Sequence, residues 1–324
     1  MATSTGLGSS LPVMQAAIGR VADARLVQSV AAAGGLATLG ASYLSLDALE
    51  EQLDVITSDA REPFVVNLIL AFDQRARLRV ALDHRAPWIS FSWGLDDDLV
   101  REAHASGSSV LVQVADETQA LAALAAGADG LIVQGVEAGG HVQGTAPLVD
   151  LLPAVRDLTE RPLVAAGGIS STGAARRAVD LGADVVSLGT RFAACAESLA
   201  HPRYRAALIS ASSDDTVLTD LFDIGWAAPH RVLRTPTVRR WQEAGEPTSG
   251  HRPAEGSSRV SGSRGALPLY SMHPAVEGLA GEVETLPFYA GMDVGSITSV
   301  ETAAEVVHDI RSVFDHSAPR TPDR

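Results

Sequence analysis

Between residues 11 and 190 the chain switches repeatedly between short apolar runs and segments of helical period, and this alternation limits the fold more than any other feature. The runs are Leu11 to Ala17, Leu36 to Leu39, Pro63 to Leu70, Pro87 to Trp93, Ser109 to Ala115, Gly130 to Gly135, Leu163 to Ala166 and Asp184 to Leu188. A run such as P-F-V-V-N-L-I-L is too continuously apolar for a half-exposed strand and fits a parallel strand covered on both faces. The intervening segments have helix signals. Ser45 is placed to cap a helix on which Leu46, Leu49, Leu53 and Ile56 share a face, and Asp116 starts another with Gln119 spaced as in a capping box. Further helices are expected over Ala24 to Ala33, Phe72 to His84, Asp97 to Ala105, Leu148 to Leu158 with an early interruption at Pro153, and Thr172 to Leu181. Eight strand and helix units predict an α/β fold, a TIM (β/α)8 barrel. An open doubly wound sheet is the alternative, but it does not ordinarily need eight units.

The boundaries follow from composition. Residues 1–10 read as a disordered leader, 11–200 as the barrel, and 201–285 as a smaller, mainly helical lobe inserted after strand eight, with a mobile Pro, Gly, Ser and Arg-rich loop near 246–264. Residues 286–315 return to the barrel and end in a closing helix over Ser299 to Phe314, and 316–324 read as a frayed tail.

Several function classes drop out. There is no lysine, and all 25 basic residues are arginine, which removes the P-loop, pyridoxal phosphate chemistry and Schiff-base aldolases together. A net charge of −14 argues against nucleic acid or an anionic membrane surface as partner. No run approaches the roughly 20 apolar residues of a membrane span, and the opening M-A-T-S-T-G-L-G-S-S lacks a signal-peptide pattern. The expectation is a soluble, cytoplasmic protein. Cys195 is the sole cysteine, inside an apolar F-A-A-C-A stretch, and reads as a packed core thiol. The histidines are scattered without an i, i+4 pair, so no metal is expected.

Three stretches carry the chemistry. In V-Q-G-V-E-A-G-G-H, Val133 to His141, an apolar run ends in two glycines that let the backbone lie close to a bound ring, with the His141 imidazole beside it. P-L-V-A-A-G-G-I-S and V-V-S-L-G-T end strands seven and eight in Gly167-Gly168 and Gly189-Thr190, where barrels often hold a phosphate on backbone N–H groups. Spacing alone leaves two readings open for each: tight turns or a phosphate site for the glycines, an exposed loop residue or a catalytic one for His141.

Taken with P-V-M-Q-A, A-G-G-L-A-T-L-G-A-S-Y, P-F-V-V-N and L-G-T-R-F, these motifs resemble the nitronate monooxygenase family, once called 2-nitropropane dioxygenases, in order from residue 11 to about 315. The resemblance implies a TIM barrel holding FMN and oxidising a small nitronate or similar carbon acid with O2, with His141 as the catalytic base. It implies the FMN phosphate and ribityl end at Gly167, Gly168, Gly189 and Thr190. Asn67, Gln113, Gln134, Gly140 and the backbone of Ala17, Ile18 and Gly19 would line the flavin, with Gly291 touching it from the C-terminal side.

Two positions depart from the family pattern. A-P-M-G-G is replaced by A-A-I-G-R, which puts Arg20 at the substrate mouth, and the usual Y-A-G-Q is Y-A-G-M, so Met292 lacks that glutamine's hydrogen bonds. The motifs are also similar to flavin-dependent enoyl-acyl carrier protein reductases and related NAD(P)H-dependent flavin reductases, which share the glycine-glycine-histidine loop. A third reading, a barrel that binds FMN as a sensor or assembly partner, leaves His141 without a purpose.

Overall fold

The computed structural model describes residues 6–58, 62–263 and 265–314. The first five residues of the expected leader and the tail beyond residue 314 lie outside the described residues. The barrel strands are β1 (Val13–Gln15), β2 (Ala37–Gly40), β3 (Phe64–Ile69), β4 (Trp88–Ser92), β5 (Ser109–Val114), β6 (Gly130–Gln134), β7 (Leu163–Ala166) and β8 (Val185–Leu188). Each pairs in parallel with its sequence neighbour from β2 to β8, and β8 pairs with β1. The ring closes where Gln15 N–H donates to the Leu36 carbonyl and Leu36 N–H to the Val13 carbonyl, both at 2.9 Å. This is the TIM barrel that the alternation predicts.

Helices α1 (Ala24–Ala32), α2 (Leu46–Ser58), α3 (Arg75–Asp83), α4 (Asp97–Ala105), α5 (Glu117–Ala125), α6 (Leu148–Arg156) and α7 (Thr172–Asp180) connect successive strands. Their starts follow from local chemistry: Asp23, Asp96, Asp116 and Ser171 each accept a backbone N–H from the first turn. Pro153 was expected to interrupt α6, but the helix runs through it. Only one intrahelical bond is lost there, to the carbonyl of Val149, a residue that is 57% exposed. The closing helix Ala303–Arg311, started by a Thr302–Glu305 capping box, packs against α1 and α7 and supplies the eighth outer position. Buried Arg191 fastens it by donating to Glu301 and Asp309 at 3.0 and 2.8 Å.

Side chains alternate across each strand, so residues two apart both point into the barrel but at different depths. The deeper layer is apolar, with Met14, Leu36, Val65, Trp88, Leu111, Ile132, Val164 and Val185. One step toward the C-terminal ends the inward residues become Thr38, Asn67, Ser90, Gln113, Gln134 and Ser187, all lining one cavity. The lower end is plugged from outside the strands. Leu7, 1% exposed, joins the apolar layer, and its carbonyl accepts the Trp88 indole N–H at 2.9 Å. Residues 6–10, which the sequence places in the expected disordered leader, take defined positions because that side chain has a core to enter.

After β8 come the short helix Thr190–Ala193, then helices Pro202–Ser210 and Pro236–Glu243 in the lobe. The lobe also holds two small antiparallel sheets that the sequence reading did not place. Thr216–Thr219 pairs with His230–Leu233, and Ser258–Gly262 pairs with both Gly265–Pro268 and Ala280–Gly281. The strand Ser258–Gly262 lies within the 246–264 stretch expected to be loop. Buried Arg252 crosslinks this region through Asp223, Glu255 and the Leu221 carbonyl. Among the described residues no helix is long and apolar enough to cross a membrane.

Leu7→Ala should lower the free energy of unfolding by about 2–4 kcal/mol, the usual range for a buried leucine truncated to leave a cavity. Urea denaturation of the two proteins side by side measures this.

Candidate active site

The C-terminal ends of the strands open into a cavity of about 370 Å³, inside the range of small-molecule sites. Every residue expected as base or flavin contact lines it: Ala17, Ile18, Gly19, Asn67, Gln113, Gln134, Gly140, His141, Gly167, Gly168, Gly189, Thr190 and Gly291. They come from loops after β1, β6, β7 and β8, from β3, β5 and β6 themselves, and from the segment before the closing helix.

Two of the glycine motifs interlock. Gly167 and Gly168 take φ of 109° and 63°, and a Cβ on Gly168 would stand 2.8 Å from Glu137 Cβ. Between them they let the β7 turn lie directly against the 135–138 loop, which no side chain would permit. Glu137, inside the V-Q-G-V-E-A-G-G-H motif, holds that loop by accepting the Leu148 N–H at the start of α6. On the far side Met292 N–H donates to the Glu137 carbonyl, and Gly291 N–H donates to Thr190 Oγ1 at 2.9 Å. The Met292 side chain is 42% exposed and does not line the cavity.

Gly140 and His141 form a two-residue strand that pairs antiparallel with Arg231 and His230 of the lobe. The carboxamide of Gln134 locks the same turn, donating to the His141 carbonyl at 3.3 Å and accepting Gln143 N–H at 2.9 Å. Gln143 then gathers the neighbouring loops: its Oε1 accepts from Gln113 and from Trp93 N–H, and its Nε2 donates to Gln119. Asn67 donates to Ser90 Oγ at 3.0 Å.

The His141 ring is surrounded by aromatic groups. Trp226 stacks on it at 4.2 Å, and Trp93, His230 and Tyr289 lie 6.3, 5.4 and 5.7 Å away. Its Nε2 is buried without a hydrogen-bond partner. Burial, assisted by the nearby His230, pushes its pKa down to about 3, so the imidazole is neutral at physiological pH. His230 is also neutral, with one ring nitrogen facing the Ala228 carbonyl at 2.8 Å while Nε2 accepts the Phe222 N–H at 3.2 Å. Tyr43, beside the mouth, has its phenol pushed up to about 12 by burial, opposed by Arg20. Arg20 donates to the Tyr43 carbonyl at 3.0 Å and is the one formally charged side chain among the lining residues.

Trp93, Trp226, His230, Tyr289 and Gln143 were not found by sequence reasoning. Tyr289 is the first residue of the Y-A-G-M motif and could have been taken with its glycine. Trp226 and His230 lie in a region without periodicity, and only the pairing of distant strands brings them to the site. Among the described residues no cluster of three or more His, Cys, Asp or Glu could hold a metal.

The closed parallel barrel has its cavity at the C-terminal ends of the strands, where barrel enzymes carry their active sites. The nitronate monooxygenase family model matches residues 4–76 and 70–312, and the chain belongs to that family. It is 34% identical over 238 residues to a Mycobacterium tuberculosis protein named (3aS,4S,5R,7aS)-5-hydroxy-7a-methyl-1-oxo-octahydro-1H-indene-4-carboxyl-CoA dehydrogenase, covering 72% of this chain but 66% of that relative. It is 28% identical over 255 residues to a probable nitronate monooxygenase of Bacillus subtilis, covering 65% of this chain and 74% of that one. Among solved structures, FabK from Thermotoga maritima superposes with a TM-score of 0.81 at 28% identity, over 97% of this chain and 96% of that one. A nitroalkane oxidase from Streptomyces ansochromogenes gives 0.75 at 25%, over 97% and 98%.

A histidine held neutral in the fold makes stability depend on pH. Above its unfolded pKa of 6.5 neither state carries the proton, and burial of the ring costs nothing in this respect. As pH falls below 6.5 the unfolded chain takes a proton that the folded one refuses, and stability drops until about pH 3. In the flavin-free form the wild type should lose about 2 kcal/mol more than His141→Gln between pH 7 and pH 5, at about 1.4 kcal/mol per unit. Urea midpoints at the two pH values measure it.

Proposed function

We propose that the protein binds FMN in this cavity and uses it to oxidise alkyl nitronates with O2, and nitroalkanes after removal of a proton, with His141 as the base. The observation that carries this reading is His141, a residue of the cavity lining whose ring Nε2 is buried without a hydrogen-bond partner. Leaving a buried polar atom unsatisfied costs about 1–3 kcal/mol, which a ligand group placed there offsets. The residues fit the cofactor in two further respects. Thr38, also a lining residue, has its Oγ1 likewise buried and unpartnered. Gly140 at φ 73° would have nothing within 4 Å of a Cβ, leaving open space beside the backbone for a flat ring. Gly167, Gly168, Gly189 and Thr190 would hold the phosphate and ribityl end. Ala17, Ile18, Gly19, Asn67, Gln113, Gln134, Gly140 and Gly291 would line the ring system.

When bound, the flavin supplies the two-electron carrier between substrate and O2 that no side chain provides. The chain's own residues do the rest. A carbon next to a nitro group is acidic because the nitronate spreads its charge onto oxygens, and neutral His141 takes that proton on Nε2. The burial that makes His141 a weak base also strengthens the attraction between the imidazolium and the nitronate formed beside it. The aromatic groups around it exclude water from that pair. Arg20 offers a cation to any anionic end of the substrate at the mouth.

A second reading, oxidation or reduction of an acyl thioester with or without NAD(P)H, is favoured by the 34% identity to the M. tuberculosis CoA dehydrogenase. NADH oxidation stimulated by an enoyl thioester would support it. Oxygen consumption with a nitronate and no NADH supports the first.

A purified yellow protein whose flavin absorbance changes on anaerobic mixing with a nitronate is the expected result. His141→Ala should keep its flavin content and lose turnover of nitroalkanes by about 100-fold or more, the usual scale of a removed base, with a smaller loss on preformed nitronates. Equal losses on both substrates would rule out the base role.

A further inference from the structure

The space around the proposed base is tight. Trp226 covers one face of the His141 ring, with the two planes 23° apart, and itself meets Trp93 and Phe72 edge-on at 4.7 and 5.5 Å. Trp93 and Tyr289 flank His141 on other sides, and Nε2 is withheld from bulk water.

The loop that carries Trp226 is held at many points. Both ring nitrogens of His230 fix its ends, one at Phe222 N–H and the other at the Ala228 carbonyl. Between those ends, Ile224 N–H donates to the Tyr270 carbonyl, Met272 N–H to the Ile224 carbonyl, and Trp226 N–H to the Asp223 carbonyl. The Asp223 carboxylate accepts from Arg252 at 2.7 Å, and that guanidinium side chain is 3% exposed. An indole packed on three rings and mounted on such a loop is a fixed wall, since moving it breaks contacts on every side.

We propose that Trp226 is a specificity-determining residue that sets the width of the space beside His141. It confines the reaction to carbon acids whose reacting carbon bears small, flexible substituents and excludes those bearing a ring. The proposal rests on the reading of His141 as the base. To give up its proton the reacting carbon must come within hydrogen-bond reach of Nε2, and a bulky group on that carbon would have to displace the indole.

The test uses the FMN-loaded protein and its Trp226→Ala, Trp226→Leu and Trp226→Phe variants, with flavin content checked by absorbance. The quantity read is the ratio of kcat/KM for the nitronate of nitrocyclohexane to that of 1-nitropropane. Trp226→Ala should raise this ratio by about tenfold or more, the scale on which apolar pockets discriminate. Trp226→Leu should raise it less, and Trp226→Phe should stay near the wild type. An unmoved ratio, or the same proportional loss on both substrates, overturns the proposal. If Trp226→Ala does not retain flavin, the leucine variant decides on the same ratio. If the wild type oxidises neither nitronate, the underlying reading fails but the wall is still measurable by binding. Propionate and cyclohexanecarboxylate, titrated through flavin absorbance, should be discriminated by the wild type and much less by Trp226→Leu. Equal discrimination in both proteins overturns the proposal independently of the chemistry.

Discussion

The pairing of Gly140 and His141 with Arg231 and His230 is the constraint on which the site depends. A histidine in a loop after a barrel strand has no fixed position of its own, because loop backbone is satisfied as well by water as by protein. Joining that loop to the lobe as the outer strand of a small sheet removes this freedom. The carboxamide of Gln134 and the Gln143 crosslinks secure the same turn from the barrel side. The imidazole is thus gripped between the two parts of the chain, and only there does it meet Trp93, Trp226 and Tyr289 together.

Electrostatically the cavity is unlike the rest of the molecule. A chain of net charge −14 lines it with amides, hydroxyls, glycines, aliphatic side chains and aromatic rings, and Arg20 is the one formally charged side chain among them. His141 and His230 are driven toward the uncharged form, and Tyr43 and Tyr289 hold their protons, all mainly through burial. A pocket of this kind does little to stabilise an ion by itself. Charge arriving with a ligand or produced in a reaction therefore interacts strongly with whichever groups it touches. The remaining arginines work elsewhere: Arg191 and Arg252 are buried and crosslink acidic partners that secure the closing helix and the lobe.

The barrel was legible because its signals are local. Strand period, aspartate and serine caps, and glycine after an apolar run are all set by neighbours within a few residues, and β3 and α4 fall within the stretches expected for them. The glycine motifs could be read for the same reason, since a positive φ at Gly167 or Gly168 excludes other residues whatever ligand is present. The lobe was not legible to this extent. Its strands are four or five residues long or shorter, and their partners lie far away in sequence, His141 with His230 for example. No periodicity marks such a pairing. Trp226 reaches the site because His230, Arg252 and the 270–272 segment shape its loop, and the last two act from far away in sequence. Leu7 shows the same limit at the other end: a polar, glycine-rich leader reads as disorder unless the hole that its one leucine fills is already known.

That leucine also bears on traffic. With Leu7 and the Trp88 layer stopping the N-terminal end, the described residues leave the cylinder open at its C-terminal rim. Any ligand of the cavity would then enter and leave by the rim. One seated deep would have to arrive before one seated above it and could not depart past it, so retention of the first would be coupled to occupancy by the second without any moving part.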